Sequence, residues 1–364
     1  MPKPDPAGLK FGPLWFTPGY SGLNVFTLLF GCLSSISVIS YMGFIQPYLL
    51  TEVLKIPAEE QGALTGNLAA IQEVVVILVM GVAGALSDRT GRRVIFVGGF
   101  LLLGAGYFIY PLATSVTQLF IFRCLFGVGA AVVPIMLSAC IVDYIQDVSR
   151  ARWIGVTSIF NGLGVVIMAV LLSKTPAMYQ EYGADPVAAG RYAYWTATGI
   201  CLVAAAVLGF GLKPGSESKV EQVSLAEQFK AGINEGRRPR MLLAFLAAFI
   251  GRGDLVVIGT FFSLWVVQLG NDLGMDSGES LGKAGMLFGL IQLSAMFWAF
   301  FMGMIVDKLG RVSGLSLALF IAAIGYTLMG TIADPFGSNI YLMCVILGIG
   351  EISVIVSAGA LLGQ

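Results

Sequence analysis

Ten apolar runs separated by polar connections make up most of the chain. They fall at roughly 24–50, 62–87, 94–113, 117–144, 152–174, 191–212, 240–268, 282–306, 312–333 and 339–363. At about 1.5 Å of rise per residue, most can cross the ~30 Å hydrocarbon layer of a bilayer as a single helix. One soluble core could not bury ten such runs, so the pattern predicts an all-α, polytopic membrane protein. One connection is longer than the others. Residues 213–239 (KPGSESKVEQVSLAEQFKAGINEGRRP) are polar and divide a bundle of six helices, 24–212, from a group of four, 240–364. Inside this linker Ser224 and Glu227 make a capping box, followed by Leu225, Phe229 and Ile233 at helical spacing. That stretch reads equally as a short helix on the membrane surface or as a loosely ordered connector.

Composition sharpens the picture. Hydrophobic residues are 57% of the 364 and charged residues 12%, against about 25% charged in soluble domains. The formal net charge is zero, so the balance does not point to nucleic acid or to an acidic partner. There is no histidine, which removes the commonest metal ligand and general base. With no nucleophile–base constellation either, the chain is expected to be no enzyme and to hold no metal or cofactor. Cys32, Cys124, Cys140, Cys201 and Cys344 all lie in apolar runs without CxxC spacing, and read as small core residues. Residues 1–23 open with MPKPDPAGLKFGP, which is Pro-rich and lacks the compact apolar region of a signal peptide.

The charges also give an orientation. The N-terminus and connections 2–3, 4–5, 6–7 and 8–9 carry 15 basic residues: Lys3, Lys10, Arg89, Arg92, Arg93, Arg150, Arg152, Lys213, Lys219, Lys230, Arg237, Arg238, Arg240, Lys308 and Arg311. The opposite connections carry four, Lys55, Lys174, Arg191 and Lys283, against nine acids. Such an asymmetry places the first set, and residues 1–23, in the cytoplasm. The stretch GALSDRTGRR, from Gly84 to Arg93, is then a cytoplasmic turn. A basic loop would satisfy the charge rule without Asp88 or the two glycines, so those residues ask for a further explanation.

The chain repeats itself. Gly84, Asp88, Gly91 and Arg92 reappear 219 residues later as Gly303, Asp307, Gly310 and Arg311, with Lys308 standing for Arg89. The fourth run carries RCLFGVGAA from Arg123 and the tenth CVILGIGEI from Cys344, so Gly127-x-Gly129 matches Gly348-x-Gly350. Two halves in the same order, both entering from the cytoplasm, form a parallel repeat. On these residues the sequence resembles the major facilitator superfamily of secondary transporters. The family's loop signature G-x-L-x-D-R-x-G-R-R/K is matched by Gly84, Leu86, Asp88, Arg89, Gly91, Arg92 and Arg93, and its helix-4 signature R-x-x-x-G-x-G-x-A by Arg123, Gly127, Gly129 and Ala131. The segment VDYIQDVSRARWIG from Val142 resembles the acidic-then-basic end of the family's helix 4. The family has two six-helix bundles and this chain has six helices plus four. Gln364 stands where Asp143 stands in the first half, so two C-terminal helices are expected to be missing from a fragmentary sequence.

The resemblance implies a gating role for the loop. Asp88 would lie near the N-terminus of a facing helix from the other bundle, where the dipole favours a carboxylate. Arg89 and Arg92 would tie the same junction by charge-assisted hydrogen bonds, Arg93, Asp307, Lys308, Gly310 and Arg311 belong to the same gating set, and Gly84 and Gly91 would allow close approach and the tight turn. The alternative is a solvated basic loop. Five ionisable residues fall inside the spans: Glu73, Arg123, Arg252, Asp254 and Glu351. Each costs several kcal/mol in hydrocarbon (roughly 2.5–3.5 on insertion scales), so each should face a partner or a wet cavity. The resemblance implies that helices 1, 4, 7 and 10 line the central cavity, and four of the five lie on helices 4, 7 and 10. Structural ion pairs are the alternative, but three acids face two arginines, and a desolvated acid can carry a proton. The repeat counterpart of Glu351 is the apolar Ala130, which singles it out as the proton carrier. Gln46, Asn67, Gln72, Asn161 and Gln292 could bind solute or bridge helices.

The function expected on these grounds is a proton-coupled, secondary-active transporter. It would move a small organic solute by alternating access, as a monomer in the cell's inner (plasma) membrane. Drug or metabolite efflux is the nearest rival, and the fifth run (GVTSIFNGLGVVIMAV) lacks the Gly-Pro pair typical of the family's drug/proton exchangers. A transporter-like receptor that binds solute without moving it is a rival from another class, against which the intact gating loop counts.

Overall fold

The computed structural model describes residues 5–215, 257–332 and 334–362, together with Leu242 and Leu246; the side chains of Ala151, Val257, Arg311 and residues 359–362 are excepted. The linker segment around Ser224, and Arg252 and Asp254 of the seventh run, lie outside the described residues. Among the described residues nine helices are long and apolar enough to cross a membrane.

The chain begins with a hairpin that the apolar pattern did not anticipate. Strands β1 (Lys10–Phe11) and β2 (Leu14–Trp15) pair antiparallel, with Lys10 opposite Trp15 and Phe11 opposite Leu14. Gly12, at φ +56°, and Pro13 form the connection, and glycine at the first central position suits a two-residue hairpin turn. Helix α1 (Gly22–Tyr48) follows. Pro47 lies inside it and cannot extend the hydrogen-bond ladder; beyond it the chain loosens into a π-helical stretch, Leu49–Val53.

Helices α2 (Ala58–Thr90), α3 (Arg92–Ile109), α4 (Val116–Asp143), α5 (Arg150–Leu171), α6 (Thr175–Glu181) and α7 (Pro186–Gly211) complete the first half. Helices α8 (Phe262–Asp272), α9 (Ser277–Leu309), α10 (Arg311–Gly330) and α11 (Asn339–Leu362) form the second. Caps set several starts. The side chains of Ser115, Asp185 and Asp276 accept the N–H groups of Gln118, Ala188 and Gly278 respectively, satisfying donors that the first helical turn leaves open.

The expected turn at Gly84–Arg93 is corrected by the structure. α2 stays helical through Thr90 and α3 begins at Arg92, so the connection is a single residue, Gly91, at φ +95°. Gly310, at φ +83°, does the same between α9 and α10. Only glycine takes that backbone region without cost. The polar residues before each glycine need no loop, because a helix end can carry them into water.

Clustering by proximity divides the chain into two compact units. One comprises Met1–Met42, Tyr48–Val165 and Thr175–Glu221, the other Gly43–Pro47, Val166–Lys174 and Gln222–Gln364. Within each unit the Gly-x-Gly pair performs the same packing. A Cβ on Gly129 would lie 2.8 Å from the Leu103 nitrogen of α3, and one on Gly127 3.2 Å from Val75 of α2. In the second unit a Cβ on Gly350 would lie 2.8 Å from Ala322 Cα of α10, and one on Gly348 would collide with the Ile291 carbonyl of α9. Leu103 and Ala322 lie 219 positions apart, as do Val75 and Ser294, whose hydroxyl a Cβ on Gly348 would also meet, so the sequence repeat is also a packing repeat. Small residues at such crossings let backbones approach closely.

A stability prediction follows from this contact. Gly129→Ala and Gly350→Ala press a methyl group against backbone that cannot step aside, and should each lose roughly 1–3 kcal/mol, read as a lower melting temperature. Gly84→Ala should hold or raise the melting temperature, since nothing lies within 4 Å of its added Cβ and alanine favours helix. Equal melting temperatures for all three variants would contradict the packing.

Candidate functional site

The gating residues of the first half converge at the junction of α2, α3 and α4. Arg92, the first residue of α3, is central. Its Nη1 lies 2.6 Å from Asp88 Oδ1, its Nε donates to Asp143 Oδ2 at 3.1 Å, and its Nη1 also donates to the Ser87 hydroxyl. The first contact spans the Gly91 break, from Asp88 in the last turn of α2 to Arg92 four residues on at the start of α3. The second contact joins the start of α3 to the end of α4. Ser87 is fully buried and its hydroxyl donates to the Gly84 carbonyl. Arg93 Nη1 donates to the Leu212 carbonyl at 3.5 Å, beyond the end of α7.

Two expectations for this loop are corrected. Arg89 ties no junction among the described residues: it is exposed and ion-pairs with neither carboxylate, since it sits one residue, about 100°, around the helix from Asp88. Gly84 makes no close approach among the described residues, having open space beside it. Gly91 combines its positive φ with a close approach: an added Cβ would lie 2.8 Å from the Gly215 carbonyl oxygen. In the second copy Asp307 and Lys308 are exposed in the last turn of α9 and Gly310 closes the helix.

Asp143 was outside the expected gating set, although its acidic position at the end of the fourth run was the available signal. Missed altogether was what holds that end. Thr17 Oγ1 donates to the Asp143 carbonyl at 3.1 Å, the Thr17 N–H to the Tyr144 carbonyl at 3.0 Å, and the Gln146 N–H to the Trp15 carbonyl at 3.0 Å. The N-terminal hairpin is thus laid along residues 143–149, next to the Arg92 cluster.

The intramembrane charges are placed in different settings. Glu351 is buried on α11, and Gln292 Nε2 of α9 donates to its Oε2 at 3.4 Å. Two residues on, Ser353 accepts from Trp298 Nε1 at 3.1 Å, and near the other end of the pair Lys283 Nζ of α9 donates to the Tyr341 hydroxyl of α11 at 2.7 Å. Gln292 is the repeat counterpart of Glu73, which is half-buried on α2. Arg123 is buried on α4 with its guanidinium carbon 5.8 Å from the ring centres of both Tyr110 and Phe126. Among the described residues its Nε and Nη1 have no hydrogen-bond partner and no carboxylate pairs with it. The expected ionic partner is replaced by aromatic faces, whose negative quadrupole attracts a cation. Glu73 and Arg123 belong to the first unit and Glu351 to the second. Of the polar candidates, Gln46 is fully buried, and Gln72 Oε1 and Asn161 Oδ1 are buried atoms without a hydrogen-bond partner among the described residues.

The chain matches a family model described as Major Facilitator Superfamily over residues 27–364. It is 28% identical over 319 residues to Magnetosome protein MamH of Paramagnetospirillum magneticum, an alignment covering 84% of this chain and 70% of that one. It is 26% identical over 373 residues to Magnetosome protein MamZ of Magnetospirillum gryphiswaldense, covering 96% of this chain and 54% of that one, so it spans about half the length of that relative. Among solved structures, a bacterial homolog to the human lysosomal transporter Spinster matches with a TM-score of 0.66 at 18% identity, covering 94% of this chain and 76% of that one. At that identity the likeness is one of fold.

Proposed function

The chain belongs to the Major Facilitator Superfamily, and from that premise we propose that it is a proton-linked secondary transporter moving a small organic solute by alternating access. The observation that carries the proton coupling is the buried Glu351, held by Gln292 at 3.4 Å. A carboxyl group out of water has a neutral, protonated form that costs far less to bury than its charged form, and a transport cycle that wets and dries the site alternately can load and unload it. Arg123, faced by rings and with Nε and Nη1 donors that no described residue accepts, supports a negatively polarised group on the solute. Asp88, Arg92 and Asp143 serve as the latch, broken and remade once per cycle.

Transport is separated from the receptor alternative by counterflow. Proteoliposomes preloaded with unlabelled solutes (sugars, nucleosides, carboxylates, amino acids) should draw in the matching labelled solute transiently without any proton gradient. A receptor would bind it in the same preparation and show no intravesicular signal.

The orientation proposed puts residues 1–23 and the Arg92 cluster in the cytoplasm of the plasma membrane. Tyr182, in the connection before α7, is 82% exposed. Tyr182→Cys should react with an impermeant maleimide applied to intact cells, and Thr90→Cys, exposed at the end of α2, only after permeabilisation. The reverse pattern would invert the topology. Similarity to two proteins named for the magnetosome supports a second location, the magnetosome membrane, decided by fractionating cells that carry the tagged chain.

A further inference from the structure

Helix α4 ends on a carboxylate. Asp143 is its last residue, at the end where the helix dipole disfavours negative charge and where the last carbonyls have no helical donor left. Both difficulties are met from outside the helix. Arg92 supplies the charge partner, at 3.1 Å. The N-terminal segment supplies the donors: Thr17 Oγ1 reaches the Asp143 carbonyl at 3.1 Å, and the Thr17 N–H the Tyr144 carbonyl at 3.0 Å. Gln146 holds that segment in place. Its Nε2 donates to the Phe16 carbonyl at 2.8 Å and to the Asp5 carbonyl at 3.1 Å, and its Oε1 accepts the Asp5 N–H at 2.8 Å. Its own N–H donates to the Trp15 carbonyl at 3.0 Å. One side-chain amide thus grips the chain both before and after the hairpin. Leu14 and Phe16, two apart and so on one face of the strand, are buried, with the Phe16 ring edge-on to Trp153 at 5.0 Å. Further on, Tyr20 packs on Tyr144 with ring centres 4.1 Å apart, and Lys213 Nζ lies 4.4 Å over the Tyr20 ring. Tyr20, Arg92, Asp143 and Lys213 wall a cavity of about 20 Å³, and Cys140, 1% exposed, lies in the same wall.

We infer that residues 5–20 brace the end of α4, and that Gln146 is a positioning residue of the latch, presenting Asp143 to Arg92. Helix ends fray, and a carboxylate on a fraying turn is spread over many positions. Three side-chain hydrogen bonds from one amide, two caps from Thr17 and a buried ring restrict that turn to the position Arg92 reaches. Gln146 acts through the backbone around Asp143 rather than on either charge. Gly8 fits beneath the grip, since a Cβ on it would collide with the Phe16 carbonyl and with Gln146 Nε2. A side chain there should therefore lift the segment without altering α3 or α4. The inference takes the latch from the reading above, whereas the docking itself does not depend on transport.

Cys140 reports the docking without any solute. The full chain in nanodiscs is treated with N-ethylmaleimide, and mass spectrometry follows the Cys140 peptide apart from the other cysteines. Gln146→Ala should speed its alkylation about fivefold, as for the loss of one net hydrogen bond, and Gly8→Val should do the same. Counterflow then tests the positioning role, with the sugar, nucleoside, carboxylate and amino acid probes. Gln146→Ala should slow exchange roughly threefold at an unchanged half-saturating concentration. Added to Asp143→Asn it should slow exchange no further, because a brace that acts through that carboxylate has nothing left to place. Unchanged alkylation of Cys140 in both Gln146→Ala and Gly8→Val would overturn the brace. Wild-type exchange by Gln146→Ala where Asp143→Asn is slow, or a full further loss in the double variant, would overturn the positioning role. Wild-type exchange by Asp143→Asn and Arg92→Gln alike would instead refute the latch, and faster alkylation of Cys140 would still support the docking.

Discussion

Glu351→Gln is expected to abolish accumulation of solute against its gradient while leaving solute exchange intact. Glutamine preserves the volume of the side chain and can keep a hydrogen bond with Gln292, whose amide now stands 3.4 Å from the carboxylate. What it loses is the ability to bind and release a proton. If that proton carries the coupling, the carrier can still reorient with solute bound, so counterflow proceeds, but an imposed proton gradient no longer does work on the solute. The same substitution at Glu73, whose repeat counterpart is already Gln292, should leave accumulation in place. A Glu351→Gln protein that still concentrates solute under a proton gradient would remove Glu351 from the mechanism.

The second large effect is expected at Arg92, which serves two carboxylates from different helices, Asp88 and Asp143. Arg92→Gln removes both ion pairs at once. The side chains are only partly sheltered, with Arg92 20% and Asp143 29% exposed, so the pair is worth less than a fully buried one. A discounted value of roughly 1–2 kcal/mol changes a conformational equilibrium by about tenfold, and transport should fall by a similar factor while solute binding persists. Asp143→Asn should lose less, since the Asp88 contact survives. Arg92→Lys should recover only part of the rate, because an ammonium lacks the fork that reaches two acceptors. Wild-type transport by Arg92→Gln, measured at equal protein levels, would reduce the loop to a solvated basic segment.

Much of this fold could be read from the chain, for identifiable reasons. Spans in a bilayer must be long and apolar, so hydrophobic runs mark them almost directly. The repeat was visible because glycine positions are backbone constraints. Gly91 and Gly310 both take positive φ, and Gly129 and Gly350 both sit against a neighbouring backbone, so neither pair tolerates substitution without strain. Helix ends were read less well. Asp88 and Arg89 looked like loop because they are charged, but helices continue past the membrane face and the break is one glycine. The hairpin at Lys10–Trp15 left almost no periodic signal over two-residue strands, and its docking on residues 143–149 is a long-range contact that local pattern does not encode. The environment of Arg123 was likewise hidden: its neighbours Tyr110 and Phe126 read as ordinary packing residues, and only the fold turns their rings toward a charge.

Proton coupling is tested most directly by following protons and solute in one preparation. Proteoliposomes holding the full chain and a trapped pH-sensitive dye, without any imposed gradient, are given an outward-to-inward solute gradient for whichever solute shows counterflow. The account predicts that solute movement alone changes the internal pH, that a protonophore erases the change, and that Glu351→Gln moves the solute with no pH change at all. Solute flux by the wild-type chain with a flat internal pH would contradict it.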